Sequence, residues 1–487
     1  MGETGLTITQ KTSKALFWRG ISQVINQVLR FIIQIVLVRL LKPEDFGLLA
    51  MVAVFFNFLA LSGSIGLNTA IIQKKELSEE EISSVFWISV LLGLILSFLM
   101  FFTAPLVAKF YAQKELLEIT PVLGIAFCLT SFGVVPYALH CKFLRFKILT
   151  FNDLGATFLS GLLAILSALK GGGVWSLIVQ ILSYNFFYSL LNFITAHFQP
   201  RRVLNFSKVK QMIYFGGNVF GLQTLGYFSQ NVDKLLIGKY LGSIPLGFYD
   251  LAYRIMLFPL RRIPWAIGSV MYPALSLVQD NHQAVRNGYL RAIRMIASIV
   301  TPAMLGLAVI APEFIKIVLG EKWLPSLYVM RIFCLIGAFQ AVSTTVEWIY
   351  YSQGRANLLF RVIIIFVLIY ITSFILGLKW GINGVATMYG LSMLLIAYPN
   401  FKIPFNLINL KLTDFLKVLL SPVCASILMA GSVWIFKHIT LRFYSEVSIL
   451  IMIAEIIWGI SIYFLLTLLI NKPAMKELEI FYQNIKD

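Results

Sequence analysis

Long apolar stretches separated by short polar turns run along nearly the whole chain, and they constrain its fold more than any motif does. About fourteen of these stretches have the roughly 20 residues that an α-helix needs to cross a bilayer. Hydrophobic residues make up 59% of the 487 residues and charged residues only 13%. The pattern predicts an all-α integral membrane protein, because helices satisfy their own backbone hydrogen bonds in lipid.

The predicted spans follow one another closely. No loop between them exceeds about twenty residues, so there is no room for a soluble catalytic or binding domain. Whatever the protein does is therefore expected to happen within the membrane. The spans are predicted near residues 14–40, 44–71, 84–108, 117–140, 152–170, 174–197, 212–241, 247–276, 289–311, 326–352, 358–379, 384–407, 415–437 and 447–470.

A short sequence pattern occurs twice, about two hundred residues apart. Val36–Leu49 and Leu236–Tyr249 each contain a basic residue, a polar turn with proline and a glycine that begins the next apolar stretch. Residues 172–176 and 383–387 resemble each other in the same way. Six spans separate the two copies of the first pattern, so both copies keep the same orientation, as in a parallel repeat. The predicted organisation is two six-helix lobes at 1–205 and 206–410, followed by two C-terminal helices in 411–487.

Basic residues are distributed unevenly between alternate loops, and this predicts an orientation. With the N-terminus in the cytoplasm, about twice as many lysines and arginines fall in cytoplasmic loops as in outer loops. Both termini are therefore expected in the cytoplasm. The net charge of +18 is attributed to this topology, and no nucleic-acid partner is expected.

Basic residues inside the predicted spans are the main candidates for a binding site. An arginine at mid-bilayer costs about 2.5 to 3.5 kcal/mol, so it usually faces the interior of a helix bundle or a wet cavity. A guanidinium can donate two parallel hydrogen bonds to a phosphate. Arg331 lies near a span end and is expected to extend to the membrane surface. The residues predicted to bind an anionic substrate are Arg30, Lys234, Arg254, Arg261 and Arg262.

Acidic residues inside the spans have two interpretations. Asp233 and Glu347 are candidates for coupling transport to H⁺ or Na⁺, and no other cofactor is expected. Asp233 could instead pair with Arg254 or Arg30, and Glu347 could pair with an arginine. Glu455, deep in the last span, is expected to pair with a basic residue.

Motifs for enzymatic chemistry are absent from the sequence. It contains no phosphate-binding loop, no nucleophile elbow, no H-E-x-x-H, no C-x-x-C and no D-x-D. Its four cysteines lack metal-ligand spacing and are expected to be buried apolar side chains. The sequence therefore predicts neither catalytic residues nor a metal site.

Four sequence blocks resemble a known family. They are K-A-L-F-W-R-G at 14–20, L-V-R-L-L-K-P-E-D-F-G-L-L-A at 37–50, G-L-N-T-A-I-I-Q-K at 66–74, and N-V-D-K-L-L-I-G-K-Y-L-G-S-I-P-L-G-F-Y-D-L-A-Y-R at 231–254. The chain is similar to the polysaccharide transporter family, of the Wzx or colanic-acid-exporter type. That family belongs to the superfamily of multidrug, oligosaccharidyl-lipid and polysaccharide exporters. The resemblance covers about the first 410 residues.

The resemblance implies a flippase of the bacterial inner membrane that works by alternating access. Its substrate would be an undecaprenyl-pyrophosphate-linked oligosaccharide. Its surroundings would be membrane lipids and the polymerase and glycosyltransferases of the same pathway. Two alternatives stay open. A multidrug cation antiporter of the same superfamily would favour acids over arginines in its cavity, and a membrane-bound glycan polymerase would usually carry a large outer loop.

Overall fold

The structure is a computed structural model that describes residues 25–63, 71–72, 74, 78–203, 226–227, 230–443 and 448–470. All regular elements within these ranges are helices. Two compact units are formed, one by Met1–Gly247 and the other by Phe248–Asp487. The lobe boundary at residue 205 was inferred from the sequence repeat and stays a prediction.

Unit 1 is built from helices of the first half of the chain. Helix α3 packs closely against α4, and α6 packs against both α4 and α5. Helix α2 contacts α3, α4, α6 and α7. The helices are α1 (25–40), α2 (Pro43–Gly63), α3 (Glu79–Tyr111), α4 (Leu116–Lys142), α5 (Phe146–Leu169), α6 (Val174–Ala196) and α7 (Val232–Leu241). Helix α8 (Ser243–Leu277) follows and contains the boundary between the units.

Unit 2 continues from α8 to the end of the described chain. Short irregular helical turns at Ile315–Leu319, Glu321–Ser326 and Leu378–Trp380 join some of its elements. The remaining helices are α9 (His282–Phe314), α10 (Leu327–Ser343), α11 (Val346–Ser352), α12 (Ala356–Gly377), α13 (Gly381–Leu407), α14 (Leu412–Phe443) and α15 (Ile449–Ile470).

Ten helical stretches in the described ranges are long and apolar enough to cross a membrane. One of them, Ala356–Leu407, contains α12 and α13, which pack against each other and match two predicted spans. The other predicted spans are 14–40 and 212–241, which lie partly outside the described residues, and 247–276, which coincides with the basic helix α8. The predicted class, an all-α multi-pass membrane protein, is confirmed.

Helix α3 has one apolar side that is buried in unit 1 and another apolar side that is exposed. Its side chains at Leu96, Met100 and Ala104 are buried within unit 1. Phe98 and Phe102, two residues further along in each case, are 61% and 70% exposed. Such large exposed aromatic side chains are unfavourable in water and favourable in hydrocarbon, so this face of α3 is a lipid-facing surface.

The two copies of the repeated pattern contact each other within unit 1. A Cβ atom added at Gly47 would lie 1.8 Å from the carbonyl oxygen of Ser243, and one added at Gly247 would lie 1.9 Å from the carbonyl oxygen of Pro43. Pro43 and Ser243 occupy the same place in the two copies. The contact is therefore reciprocal, and only glycine permits this approach of one backbone to the other.

The last two helices are fixed to a helix of unit 2. Helix α14 packs along α9, and α15 packs against both α14 and α9. An apolar cluster containing Ile310, Met429 and Val433 joins α9 to α14, and Ile462 and Leu466 of α15 pack against it. The helices that were predicted to lie outside the repeat are thus held by a well-packed apolar contact.

Candidate functional site

A hydrogen-bonded network of polar side chains connects three helices of unit 1. Arg30 of α1 donates to Asp153 Oδ1 of α5 and to the Tyr184 hydroxyl of α6, at 3.0 Å in both cases. Tyr184 in turn donates to the same Asp153 oxygen at 2.8 Å, and the Asn26 amide donates to the other Asp153 oxygen. We call these four side chains the Arg30 cluster.

The Arg30 cluster is only partly enclosed. The side chain of Arg30 is 47% exposed and that of Asp153 is 31% exposed. A guanidinium carries five N–H donors, and the contacts with Asp153 and Tyr184 both use Nη2. Arg30 therefore keeps donors for a ligand, even though its charge is balanced by a carboxylate.

Tyrosine rings extend the Arg30 cluster. The Arg30 guanidinium lies 4.9 Å from the centre of the Tyr184 ring, which is within cation-π distance. Tyr188, one turn later on α6, stacks on Tyr184 at 5.6 Å with an angle of 8° between the rings. Tyr137 of α4 contacts Tyr188 at 6.5 Å. Half-buried rings beside hydrogen-bonding groups suit a ligand with both apolar faces and hydroxyl edges, as sugar rings have.

Arg30 was predicted from the sequence as a site residue, but its partners were not. Asp153 is an isolated acid near the start of an apolar stretch, and basic residues inside spans were the only signal used to predict the binding site. That isolation was a usable signal, since a lone carboxylate in a span needs a partner. The spacing of Tyr184 and Tyr188 was a weaker signal, because residues four apart share one helix face.

Arg254 of unit 2 is paired within its own helix. Its Nε lies 2.5 Å from Oδ2 of Asp250, one turn earlier on α8. Asp250 is 1% exposed, whereas the Arg254 side chain is 40% exposed. The suggestion that Asp233 pairs with Arg254 or Arg30 is thus corrected: these arginines bind Asp250 and Asp153. Asp250 lies one turn from Arg254, and Asp153 lies on a helix next to Arg30. Nothing in the sequence favoured these two acids over Asp233 as partners of the arginines.

Asp233 and Lys234 lie in the first turn of α7. Asp233 is 4% exposed, and its Oδ1 accepts a hydrogen bond of 2.8 Å from the backbone N–H of Lys234. An acid in this position also interacts favourably with the helix dipole. Asp233 therefore helps to begin α7, and Lys234 beside it is half-buried.

Glu347 lies beside a break in the helical path of unit 2. Helix α10 ends at Ser343 and α11 begins at Val346. The freed carbonyl of Ser343 accepts from Asn400 at 3.3 Å, and Thr345 shares a hydrogen bond of 3.1 Å with Tyr289. Glu347 is half-buried, and its side chain has no hydrogen bond or ion pair with the residues that the structure describes. Thr344 and Thr345 keep right-handed helical backbone angles, so the break is a local distortion of the helical path, and such distortions often mark functional hinges.

Two predicted site residues have no described side chain. Arg261 and Arg262 lie in α8, whose backbone is helical there, while their side chains fall outside the described residues. No group of three or more potential metal-binding side chains occurs in the described part of the chain. The assignment of Arg30, Lys234, Arg254, Arg261 and Arg262 to substrate, and of Asp233 and Glu347 to ion coupling, stays a prediction.

Comparison with known proteins gives one family match and several distant relatives. A family model described as polysaccharide biosynthesis protein matches residues 36–328. The chain is 25% identical to the lipopolysaccharide biosynthesis protein WzxC of Escherichia coli (strain K12), with 76% of each chain covered. It is 26% identical to the teichuronic acid biosynthesis protein TuaB of Bacillus subtilis (strain 168), with 68% of this chain and 65% of the relative covered.

A solved structure has a similar fold. The lipid II flippase MurJ, in an inward closed conformation, matches with a TM-score of 0.73 at 16% sequence identity, covering 97% of this chain and 100% of that chain. At this identity the likeness concerns the fold. Together with the ten long apolar helical stretches of the described ranges, the fold is that of a multi-pass membrane protein. The resemblance seen in the sequence blocks is confirmed, and the chain belongs to the polysaccharide biosynthesis protein family.

Proposed function

We propose that the protein flips a polyprenyl-pyrophosphate-linked oligosaccharide from the inner to the outer leaflet of the bacterial inner membrane. Both termini lie in the cytoplasm, and transport proceeds by alternating access. The observation that carries the proposal is the Arg30 cluster, a partly exposed polar network on apolar helices of a chain from a polysaccharide biosynthesis family. Polar groups in such helices are costly unless they serve a ligand or a necessary contact.

The chemistry of the Arg30 cluster fits the sugar part of this substrate. Arg30 and Asp153 form a pair with little net charge, so they offer hydrogen bonds to hydroxyl groups without holding an anion very tightly. The stacked rings of Tyr184 and Tyr188 offer flat apolar surface for sugar faces. Weak, reversible contacts suit a transporter, which must release what it binds.

The pyrophosphate requires cationic groups to offset the loss of water around its charges. Lys234, Arg254, Arg261 and Arg262 are the remaining basic candidates, and a guanidinium matches phosphate geometry especially well. Arg254 already binds Asp250, so a phosphate there would add to a partly exposed ion pair rather than meet a lone cation. The polyprenyl tail stays in lipid throughout, because moving it into a polar site would cost hydrophobic free energy.

In this proposal a cation gradient drives the step that returns the transporter to its starting state after the substrate is released. Glu347 is the favoured coupling residue because it is half-buried, lacks a partner in the described part and adjoins a helix break. Asp233 is the second candidate, but its carboxylate already accepts from the first turn of α7. The coupling ion is H⁺ or Na⁺, and replacing Na⁺ by choline in a transport assay separates the two.

The test is complementation in a bacterium that lacks its own copy of the transporter. Arg30→Gln is expected to lower surface polysaccharide at least tenfold and to let lipid-linked oligosaccharide accumulate, with protein levels matched by immunoblot. Arg331→Gln is the matched control, because Arg331 is exposed and, among the described residues, its side chain bonds only to the backbone carbonyl of Ala308, at 3.3 Å. Full export by the variants Arg30→Gln, Arg254→Gln and Arg261→Gln would contradict the proposal.

A further inference from the structure

Three charged side chains from three helices of unit 2 are buried together at one end of the helices. Glu313 of α9, Lys437 of α14 and Glu455 of α15 are 4%, 8% and 1% exposed. Glu313 lies at the end of α9, while Lys437 and Glu455 lie about two turns from the adjoining ends of α14 and α15. None of them belongs to the substrate site proposed above. We call them the buried triad.

Lys437 forms an ion pair with Glu313, using both oxygens of that carboxylate. Its Nζ lies 2.7 Å from Oε1 and 2.8 Å from Oε2 of Glu313. A buried ion pair is tolerated only when such close geometry compensates the loss of hydration. The pair is neutral as a whole, so it has no charge left to balance Glu455.

Glu455 has no such partner. Its Oε2 is fully enclosed, and its carboxyl makes no hydrogen bond or ion pair with any described residue. This differs from the expectation that Glu455 pairs with a basic residue, because the nearest cation already binds Glu313. Helices α9 and α14 are the elements packed against α15, and their groups that act on Glu455 are Glu313 and Lys437.

Among the described residues, the other polar groups near the triad do not offer a counter-charge. His438, next to Lys437, is exposed and its Nδ1 contacts the carbonyl of Trp434. Tyr463 of α15 donates its hydroxyl to the Ser298 carbonyl at 2.8 Å. A second ionised carboxylate among these groups would leave one uncompensated negative charge in an apolar site, which proteins avoid by protonation.

We propose that Glu455 is a proton-binding site, and that its carboxyl is protonated while Lys437 is paired with Glu313. The reaction is a simple transfer: the Glu455 carboxylate takes a proton from water to become a neutral carboxylic acid, and releases it to water. A metal ion is a poor alternative, because it needs several oxygen ligands and the Glu313 oxygens already surround an ammonium group.

The protonation state of Glu455 also affects which carboxylate Lys437 can pair with, and therefore which helix it contacts. When Glu455 loses its proton, a second carboxylate on α15 competes with Glu313 on α9 for the same ammonium group. Proton binding and the contacts of α15 are therefore linked. The site does not depend on the proposed substrate.

Infrared spectroscopy of the purified full-length protein in detergent tests the site directly, because a protonated carboxyl absorbs apart from a carboxylate. At neutral pH the wild type is expected to show a protonated-carboxyl band, and Glu455→Gln should lose the part that comes from one carboxyl. Glu313→Gln should lose the same part, because it frees Lys437 to pair with Glu455. Glu321→Gln, which removes an exposed acid, is the control and should leave the band unchanged.

Two results would overturn the proposal. One is the absence of a protonated-carboxyl band from the wild type at neutral pH. The other is a band that neither Glu455→Gln nor Glu313→Gln reduces. If Glu455→Gln does not fold, Glu313→Gln and the loss of the wild-type band at alkaline pH still decide the question. Because no transport is measured, failure here is separate from failure of the proposed flippase activity.

Discussion

The Arg30 cluster and the buried triad use the same chemical groups in opposite surroundings. Both contain a cation beside a carboxylate, but the side chains of Arg30 and Asp153 are 47% and 31% exposed, whereas those of Lys437 and Glu313 are 10% and 6% exposed. An exposed pair can exchange partners with a ligand of any size. An enclosed group can exchange only what reaches it through packed side chains, and a proton is the smallest such species. Exposure, more than composition, separates a binding site for substrate from one for a proton.

The comparison predicts a large stability cost at Lys437. Lys437→Met leaves the Glu313 carboxylate without its cation, and removing one partner of a buried pair costs about 3 to 5 kcal/mol. We expect a strongly lowered melting temperature in detergent. The double variant Lys437→Met with Glu313→Gln should recover most of the loss, since it leaves no unpaired charge. A single variant that melts like the wild type would show that the triad is hydrated.

The close contact between Gly47 and Ser243 predicts a smaller stability cost in unit 1. Gly47→Ala places a methyl group 1.8 Å from the carbonyl oxygen of Ser243, so the two copies of the repeated pattern must separate. Overpacking of this kind costs about 1 to 3 kcal/mol. Gly431→Ala is the control, because a Cβ atom there meets no atom within 4 Å. Equal melting temperatures for the two variants would contradict the close contact.

Asp153→Asn should separate stability from transport. The Arg30 pair is partly exposed, and such pairs contribute about 0 to 1 kcal/mol, so little change in melting temperature is expected. Export should nevertheless fall about tenfold, because Arg30 loses the group that positions it. The measurements are surface polysaccharide and melting temperature on the same protein preparation. A stability loss as large as that of Lys437→Met would erase the distinction between the two regions.

The smallest expected effect is at the Tyr184 hydroxyl. Tyr184→Phe keeps the ring that stacks on Tyr188 but removes the hydrogen bonds to Arg30 and Asp153. We expect export to fall a few fold with nearly unchanged stability, and Tyr184→Ala to fall further because the ring is lost as well. If both variants export alike, the ring makes no contribution and the sugar-binding role of the tyrosines is wrong.

Sequence reasoning predicted the class of fold well because bilayer thickness fixes the length of each apolar stretch. It predicted partners poorly. The buried ion pair between Lys437 and Glu313 was not predicted. Glu455 was expected to be paired and lacks a partner among the described residues. A helix that is apolar on nearly every side, such as α15, carries no pattern that says which side faces protein. Contacts between distant helices therefore had to come from the structure.

The reciprocal contact of Gly47 and Gly247 has a consequence for how the protein is made. It joins the first copy of the repeated pattern to a segment about two hundred residues later, and the Gly247 end of that contact still belongs to unit 1. During synthesis the first six predicted spans can enter the membrane long before this partner exists. Unit 1 therefore cannot finish folding until about half of the chain has left the ribosome, and an N-terminal fragment that stops at residue 205 would insert without ever closing that contact.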